Sequence, residues 1–318
     1  MKAIRIPVIL VLMTLMAGSC IQDKDSDYER IVERDNRFLK DYLERNNIAA
    51  IESQLGYFYE KIESNDVGNQ IVNNDVLGIY YEIKTIDGQL IESYLDETKS
   101  PRVFKHNDGG LIPRVINFNS GLAKEGETFM IYSPSYLAYQ DYSFQQLIIP
   151  NSNLVVKVKY AFIFDEEELI ALEDDLIQDY MEEKGLEGFE KTEEGLYLKI
   201  LNTGKEDAKV AAKDDIVLFE FELKQMLGDN VISKSNANSS IQAKVGDQGN
   251  LRFLNLGLKD TKEDMEFEIF SPSRLAFGVS SQVFPFQIRQ DLFNRGALNT
   301  AARPYEPIYF KAKIKEVK

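Results

Sequence analysis

The 318-residue chain has no tryptophan, one cysteine (Cys20), one histidine (His106) and nine prolines. A single Cys and a single His cannot build a Cys₄ or Cys₂His₂ zinc site, a haem attachment site, a disulfide framework or a dithiol redox pair. His106 stands in the turn His106-Asn107-Asp108-Gly109-Gly110 with no serine elbow beside it, so it reads as a turn histidine rather than a catalytic base. Bases are also scarce, 37 Lys and Arg against 52 Asp and Glu, for a formal charge of −15. Such a balance opposes contact with phosphate backbones, because no counterion release would drive it, and nucleic acid is not an expected partner. What remains is the composition of a globular protein, 44% hydrophobic and 28% charged, with length for two domains.

The N-terminus reads as a targeting segment. Lys2 and Arg5 precede the apolar run Ile6 to Met16, too short to span a bilayer, and Ala17-Gly18-Ser19 leads into the only Cys. That order resembles a bacterial lipobox, with residues 1–19 as the signal and Cys20 as the lipidated thiol. Cleavage would remove two bases and take the net charge from −15 to −17. The acidic stretch after Cys20 resembles the surface-export signal of Bacteroidetes lipoproteins. The expected location is therefore the bacterial envelope, at the outer membrane, with the face left open.

Beyond the tether the chain repeats itself. Asp41-Tyr42-Leu43-Glu44 returns as Asp179-Tyr180-Met181-Glu182, and Pro134-Ser135-Tyr136-Leu137-Ala138-Tyr139 as Pro272-Ser273-Arg274-Leu275-Ala276-Phe277, both 138 residues on. Tyr81 with Gly88 matches Phe221 with Gly228 at a spacing of 140. Each copy opens on an acidic helical stretch with apolar residues three and four apart, as in Tyr28, Ile31, Val32, Phe38, Leu39, Tyr42 and Leu43. The second stretch, Asp165 to Glu183, holds ten acids and no base, the pattern of a solvated helix face. Strands are expected at Val76–Ile83, Thr128–Tyr132 and Asn153–Tyr160, and in the second copy at Ile216–Leu223, Met265–Phe270 and Ile308–Ile314. Val217, Phe219, Phe221 and Leu223 alternate with charged residues, which argues for antiparallel sheet with one wet face. The expected division is signal 1–19, tether and helix 20–55, a first domain 56–164, an acidic helical linker 165–190 and a second domain 191–318.

The order of landmarks within each copy resembles the FKBP family of peptidyl-prolyl isomerases. In the first copy the resemblance rests on Tyr81, Asp87-Gly88, Pro101, Phe104, Leu111-Ile112, Gly121-Leu122, Gly126-Glu127, Pro134, Ala138-Tyr139, Ile149-Pro150 and Leu154-Val155-Val156. In the second it rests on Phe221, Gly228, Gly257-Leu258, Pro272 to Gly278 and Pro304 to Phe310. It implies an α+β fold: two FKBP-like domains, each a bent antiparallel sheet wrapped over a short helix. The implied reaction, rotation of a prolyl peptide bond, needs no cofactor, because an apolar pocket that binds the twisted amide better than the planar one lowers the barrier by itself. Carried over by position, Tyr81 and Tyr139 match the pocket tyrosines, Ile112 the residue whose backbone N–H binds substrate, Ile91-Glu92 a Phe-Asp pair, Val156 a wall Phe, and Phe104 itself. A second pocket Phe is replaced by Arg102, the floor Trp by Val115, and the Gly after Ala-Tyr by Gln140. In the second copy Phe221 and Phe277 replace both tyrosines, Leu227 replaces the turn Asp, and Val231-Ile232 stand at the Phe-Asp pair.

The second copy is also 16 residues longer, within an enlarged loop of about 278–303 that holds Phe284, Pro285, Phe286, Arg289, Phe293, Arg295 and Arg303 and only one acid, Asp291. Exposed Phe and Arg are residues that interface hot spots use. Phe284, Phe286, Arg289, Phe293 and Arg295 are therefore expected to contact a partner, or else to fold against their own domain. Two functions stay open: a lipid-anchored isomerase and folding chaperone acting on proline-containing clients through the first domain, or an inactive tandem binding protein serving an outer-membrane protein complex.

Overall fold

The computed structural model describes residues 24–228, 230–235 and 239–318. The expected signal segment 1–19 and Cys20 lie outside the described residues. The chain divides into two units, one ending at Ile48 and one from Ala49 to Lys318. In the first, α1 (Lys24–Arg45) forms the expected helix, with Arg34 paired to Asp35 at 2.6 Å. It stops where the Ile48 N–H returns to the Leu43 carbonyl at 2.9 Å.

The second unit holds both copies. The first contains β1 (Ile51–Glu52), β2 (Phe58–Glu63), β3 (Val76–Thr85), β4 (Leu90–Tyr94), β5 (Arg102–Lys105), β6 (Leu111–Ile112), α2 (Arg114–Ser120), β7 (Glu127–Ser133) and β8 (Leu154–Phe164). After α3 (Glu166–Glu183) come β9 (Glu190–Lys191), β10 (Tyr197–Thr203), β11 (Ile216–Gln225), β12 (Val231–Lys234), β13 (Ile241–Lys244), α4 (Arg252–Leu258), β14 (Met265–Ser271), β15 (Gln282–Val283), α5 (Arg289–Asn294) and β16 (Ile308–Val317). The first sheet runs β1-β2-β7-β8-β3-β4 with β5 against β3, and the second runs β9-β10-β14-β16-β11-β12 with β13 against β11. The two orders are the same order. Among the described residues every pairing within the two sheets is antiparallel, and both sheets slip register at the equivalent place, between Gly78 and Ile79 and between Leu218 and Phe219. A shared bulge is a conserved irregularity of a duplicated fold, since an extra residue bends the strand and sharpens its twist.

Each sheet folds its apolar face over its short helix. Val115 and Ile116 of α2 are fully buried with Leu77, Ile79, Phe129 and Val158, while Phe253 and Leu258 of α4 are buried with Phe219, Phe267 and Ile314. Helix α2 starts at Pro113, whose extended backbone precedes the first helical residue, and it ends at Gly121. Two hydrogen bonds tie buried side chains across the fold: the Tyr160 hydroxyl donates to the Ile116 carbonyl at 2.8 Å, and Asn117 Nδ2 to the Asn107 carbonyl at 2.7 Å. His106 is half-buried rather than a free turn residue, its Nδ1 lying 2.8 Å from Ser120 Oγ.

The linker helix is less solvated than its charge suggests. Asp165 and Glu168 form a reciprocal capping box at its start, and Ile177 is buried with Tyr197, Met226 and Phe270 of the second module. Glu173 is 1% exposed because its carboxylate accepts from the Ser273 backbone N–H at 2.8 Å and from the Ser273 hydroxyl. In the first module Asn153 serves the equivalent Ser135 N–H at 3.0 Å. Burial raises the Glu173 carboxyl above its ordinary value, against the lowering effect of Ser273.

Candidate functional site

The tyrosines of the expected pocket are buried in the cluster that the first sheet forms with α2. Tyr81 comes from the middle of β3, Ile91 and Glu92 from β4, Phe104 from β5, Ile112 from β6 and Val156 from β8, while Tyr139 follows the 3₁₀ turn Ser135–Leu137. Tyr81, Phe104 and Val156 are fully buried, Ile91 and Tyr139 nearly so, and Ile112 packs on the same cluster. The Tyr81 hydroxyl donates to Glu92 Oε2 at 2.5 Å. Burial, and then the Glu92 carboxylate, push that hydroxyl well above its ordinary pKa. Burial also raises Glu92, opposed by the Tyr81 hydroxyl, the Arg102 guanidinium and the Phe286 backbone N–H. Tyr139 is raised by burial before any neighbouring charge, so both phenols serve as neutral hydrogen-bond donors.

This pocket is occupied by the chain itself. The segment 278–303 leaves the second module and lays β15 parallel to β6, with Gln282 opposite Leu111 and Val283 opposite Ile112. The Gln282 N–H donates to the Gly110 carbonyl and the Phe284 N–H to the Ile112 carbonyl, both at 2.9 Å, and Gln282 Nε2 reaches the Val103 carbonyl at 2.8 Å. Gly110 is required here, since a Cβ on it would lie 2.0 Å from the Lys105 carbonyl oxygen. Phe284 is fully buried, its ring centroid 4.2 Å from that of Tyr81. Its carbonyl accepts the Tyr139 hydroxyl at 2.7 Å, and Pro285 behind it is buried.

The same fold pattern has a counterpart in sequence. Over 152 residues the chain is 28% identical to the probable FKBP-type peptidyl-prolyl cis-trans isomerase FkpA of Neisseria meningitidis serogroup B, a match covering 46% of this chain and 51% of that protein. The chain is a tandem FKBP-like protein. It spans about half the length of that relative, and no family model matches it. Among solved structures, the three FKBP domains of wheat FKBP73 align with 83% of this chain and 96% of theirs, at 12% identity and a TM-score of 0.32. FkpA of Escherichia coli aligns with 48% of this chain and 62% of its own, at 18% identity and a TM-score of 0.35.

In the first FKBP-like module the departures from the family pattern acquire contacts. Arg102, at the place of a pocket Phe, lays its guanidinium 4.0 Å from the Tyr94 ring centroid and 3.9 Å from that of Phe286. Arg303 covers Phe286 at 4.0 Å and pairs with Glu306 at 3.2 Å, both side chains being nearly buried. Phe286 thus sits between two guanidinium groups, an arrangement worth about 0.5–2 kcal/mol per cation–π contact. Arg102, Arg303, Glu306 and Asp291 were not among the expected site residues. The sequence signal for Arg303 and Asp291 is the composition of the extra segment, which gives no indication of where it docks, and Arg102 stands out only as the replacement of a pocket Phe.

The residues expected to meet a partner are divided by the fold. Phe284 is fully buried and Arg289 is 2% exposed, so the expectation that these two face an outside partner is corrected: they are packed inside the second unit. Arg289 is held by the Ser281 carbonyl, Ser280 Oγ and the Ala301 carbonyl at 2.7, 2.9 and 3.1 Å, which draws the two ends of the segment together. Burial, then the Arg303 charge, lowers its pKa to about 10. Phe286 is half-buried. Arg295 bonds Asp291 at 2.8 Å and lies over the Tyr142 ring, and Tyr142 also donates to Asp291 at 2.8 Å. Phe293 remains 39% exposed.

Among its described residues the second module lacks both pocket hydroxyls. Phe221 and Phe277 carry no hydroxyl, and Phe221 stacks at 5.9 Å on Phe310, which also receives Phe253 edge-on at 5.2 Å. Beside the filled pocket a groove of about 400 Å³ stays open, lined by Ile112, Arg114, Tyr139, Tyr142 and Leu298. Among the described residues no group of three His, Cys, Asp or Glu side chains could hold a metal, and no helix is long and apolar enough to cross a membrane.

Proposed function

We propose that the chain is a peptide-binding protein of the FKBP type in the bacterial envelope, tethered through Cys20, with its one prolyl site in the first module and kept from fast turnover in the resting state. The observation that carries this reading is the Tyr139 hydroxyl bonded at 2.7 Å to the Phe284 carbonyl, the residue before Pro285, with the Phe284 ring seated against Tyr81. A pocket filled by its own chain cannot bind a client amide, and only binding of the twisted amide lowers the rotation barrier of roughly 18–20 kcal/mol. Proline-containing clients are the ligands this chemistry suits. A second reading, an accessory subunit of an outer-membrane complex, draws on the exposed face of the segment, where Phe293 and Val279 are 39% and 60% exposed.

The test is a proline-limited refolding assay with the mature chain at micromolar concentration. No acceleration is expected from the intact protein. Acceleration that disappears in Tyr81→Ala would overturn the resting-state reading and make the chain an active isomerase.

A further inference from the structure

We propose that residues 281–286, Ser-Gln-Val-Phe-Pro-Phe, are an in-chain ligand of the first module, and that the external ligand displacing them is an extended peptide of order aromatic–Pro–aromatic. This inference rests on the reading of the chain as a peptide-binding FKBP-like protein. Three features of the docked segment define the ligand. Its backbone adds to β6 through the Gly110 and Ile112 carbonyls, contacts that any extended peptide can make. The residue before proline fills the space beside Tyr81 and gives its carbonyl to Tyr139, so an aromatic side chain there satisfies both the apolar wall and the hydroxyl.

The third feature sets the residue after proline. Phe286 lies on Arg102, which belongs to the first module and stays in place when the segment leaves. A guanidinium already stacked on Tyr94 presents its other face to an incoming ring, so an aromatic in this position is preferred to an aliphatic one. The segment's own hold is strong because it is tethered. Arg303 ties its far end to the Leu227 carbonyl and Glu306, and its backbone N–H bonds Gln225 Oε1 at 2.8 Å. Tethering of this kind gives an effective concentration on the order of millimolar, which any free peptide must exceed in strength or number.

The test uses the full chain and a fluorescein-labelled hexapeptide of the sequence 281–286, read by anisotropy. Wild type is expected to bind it weakly, and Phe284→Ala at least tenfold more tightly, because the in-chain competitor has lost its anchor. Should Phe284→Ala fail to fold by circular dichroism, Gln282→Pro, which removes the N–H given to Gly110, tests the same point. Replacing the last Phe of the peptide by Ala should weaken binding to the Phe284→Ala chain and make little difference once Arg102→Ala is added. Equal binding to wild type and the opened variant, or no binding to a folded opened variant at millimolar peptide, overturns the proposal. So does a peptide with Ala before Pro that binds as well. Peptide competition and refolding are separate readouts, so an intact chain that proves to be an isomerase is told apart from a segment that proves not to compete.

Discussion

Truncating Phe284 to Ala removes a fully buried ring from the contact between the extra segment and the first module. A buried Phe→Ala change costs about 3–5 kcal/mol, the lost transfer energy plus the cavity left between Tyr81 and Phe286. The segment can lift away by breaking its bonds to Gly110 and Ile112 while β3, β7 and β8 keep their own ladders. The cost therefore falls on local opening, and at about 1.4 kcal/mol per factor of ten the open population rises by about a hundredfold to a few thousandfold. Native-state hydrogen exchange followed by mass spectrometry reads this directly. Peptides covering 280–287 should exchange faster by that factor, while those from α2 and β7 keep their wild-type protection. An equal loss of protection throughout the first module would refute a separable segment, and unchanged exchange at 280–287 would refute Phe284 as its anchor.

Other perturbations test the surrounding contacts. Tyr139→Phe leaves the Phe284 carbonyl without its donor at a cost of about 1–3 kcal/mol, which should appear as faster exchange over 280–287 alone. Arg289→Met deletes three hydrogen bonds from a buried cation, each worth about 1.5–3 kcal/mol and not additive, and should lower the urea midpoint with Arg289→Lys recovering only part. Glu173 titrates in the unusual direction. Its folded-state pKa lies above the ordinary 4.5, so the native state holds the proton more tightly than the unfolded one, and the stability this gives is present below 4.5 and lost as pH rises through the folded value. The stability of wild type relative to Glu173→Gln should fall on going from pH 4 to pH 8. A difference that stays flat or grows would show that Ser273 compensates for burial in full.

The strands expected from alternation appear at their places and extend by a few residues, as Ile216–Leu223 does to Gln225. The reason is local: side chains point to opposite faces every second residue, so a half-buried strand writes its burial into its own sequence. The duplication was legible for a related reason, because a repeated fold needs the same landmarks in the same order. Glu173 was not legible, since nine acids in one helix look alike until Ser273, 100 residues away, donates its N–H to one of them in the interior.

The pocket divides along the same line. Tyr81, Tyr139, Glu92 and Phe104 could be placed from the order of motifs within a single copy. The occupant could not, because Tyr139 and Phe284 are 145 residues apart and Gln282 and Val103 are 179 apart. The shortage of Cys and His already set aside zinc, haem and disulfide chemistry and is consistent with a reaction that requires neither residue. Whether that pocket faces solvent or its own chain is a matter of which surfaces meet in three dimensions, and only the packing of the second module's extra segment onto the first decides it.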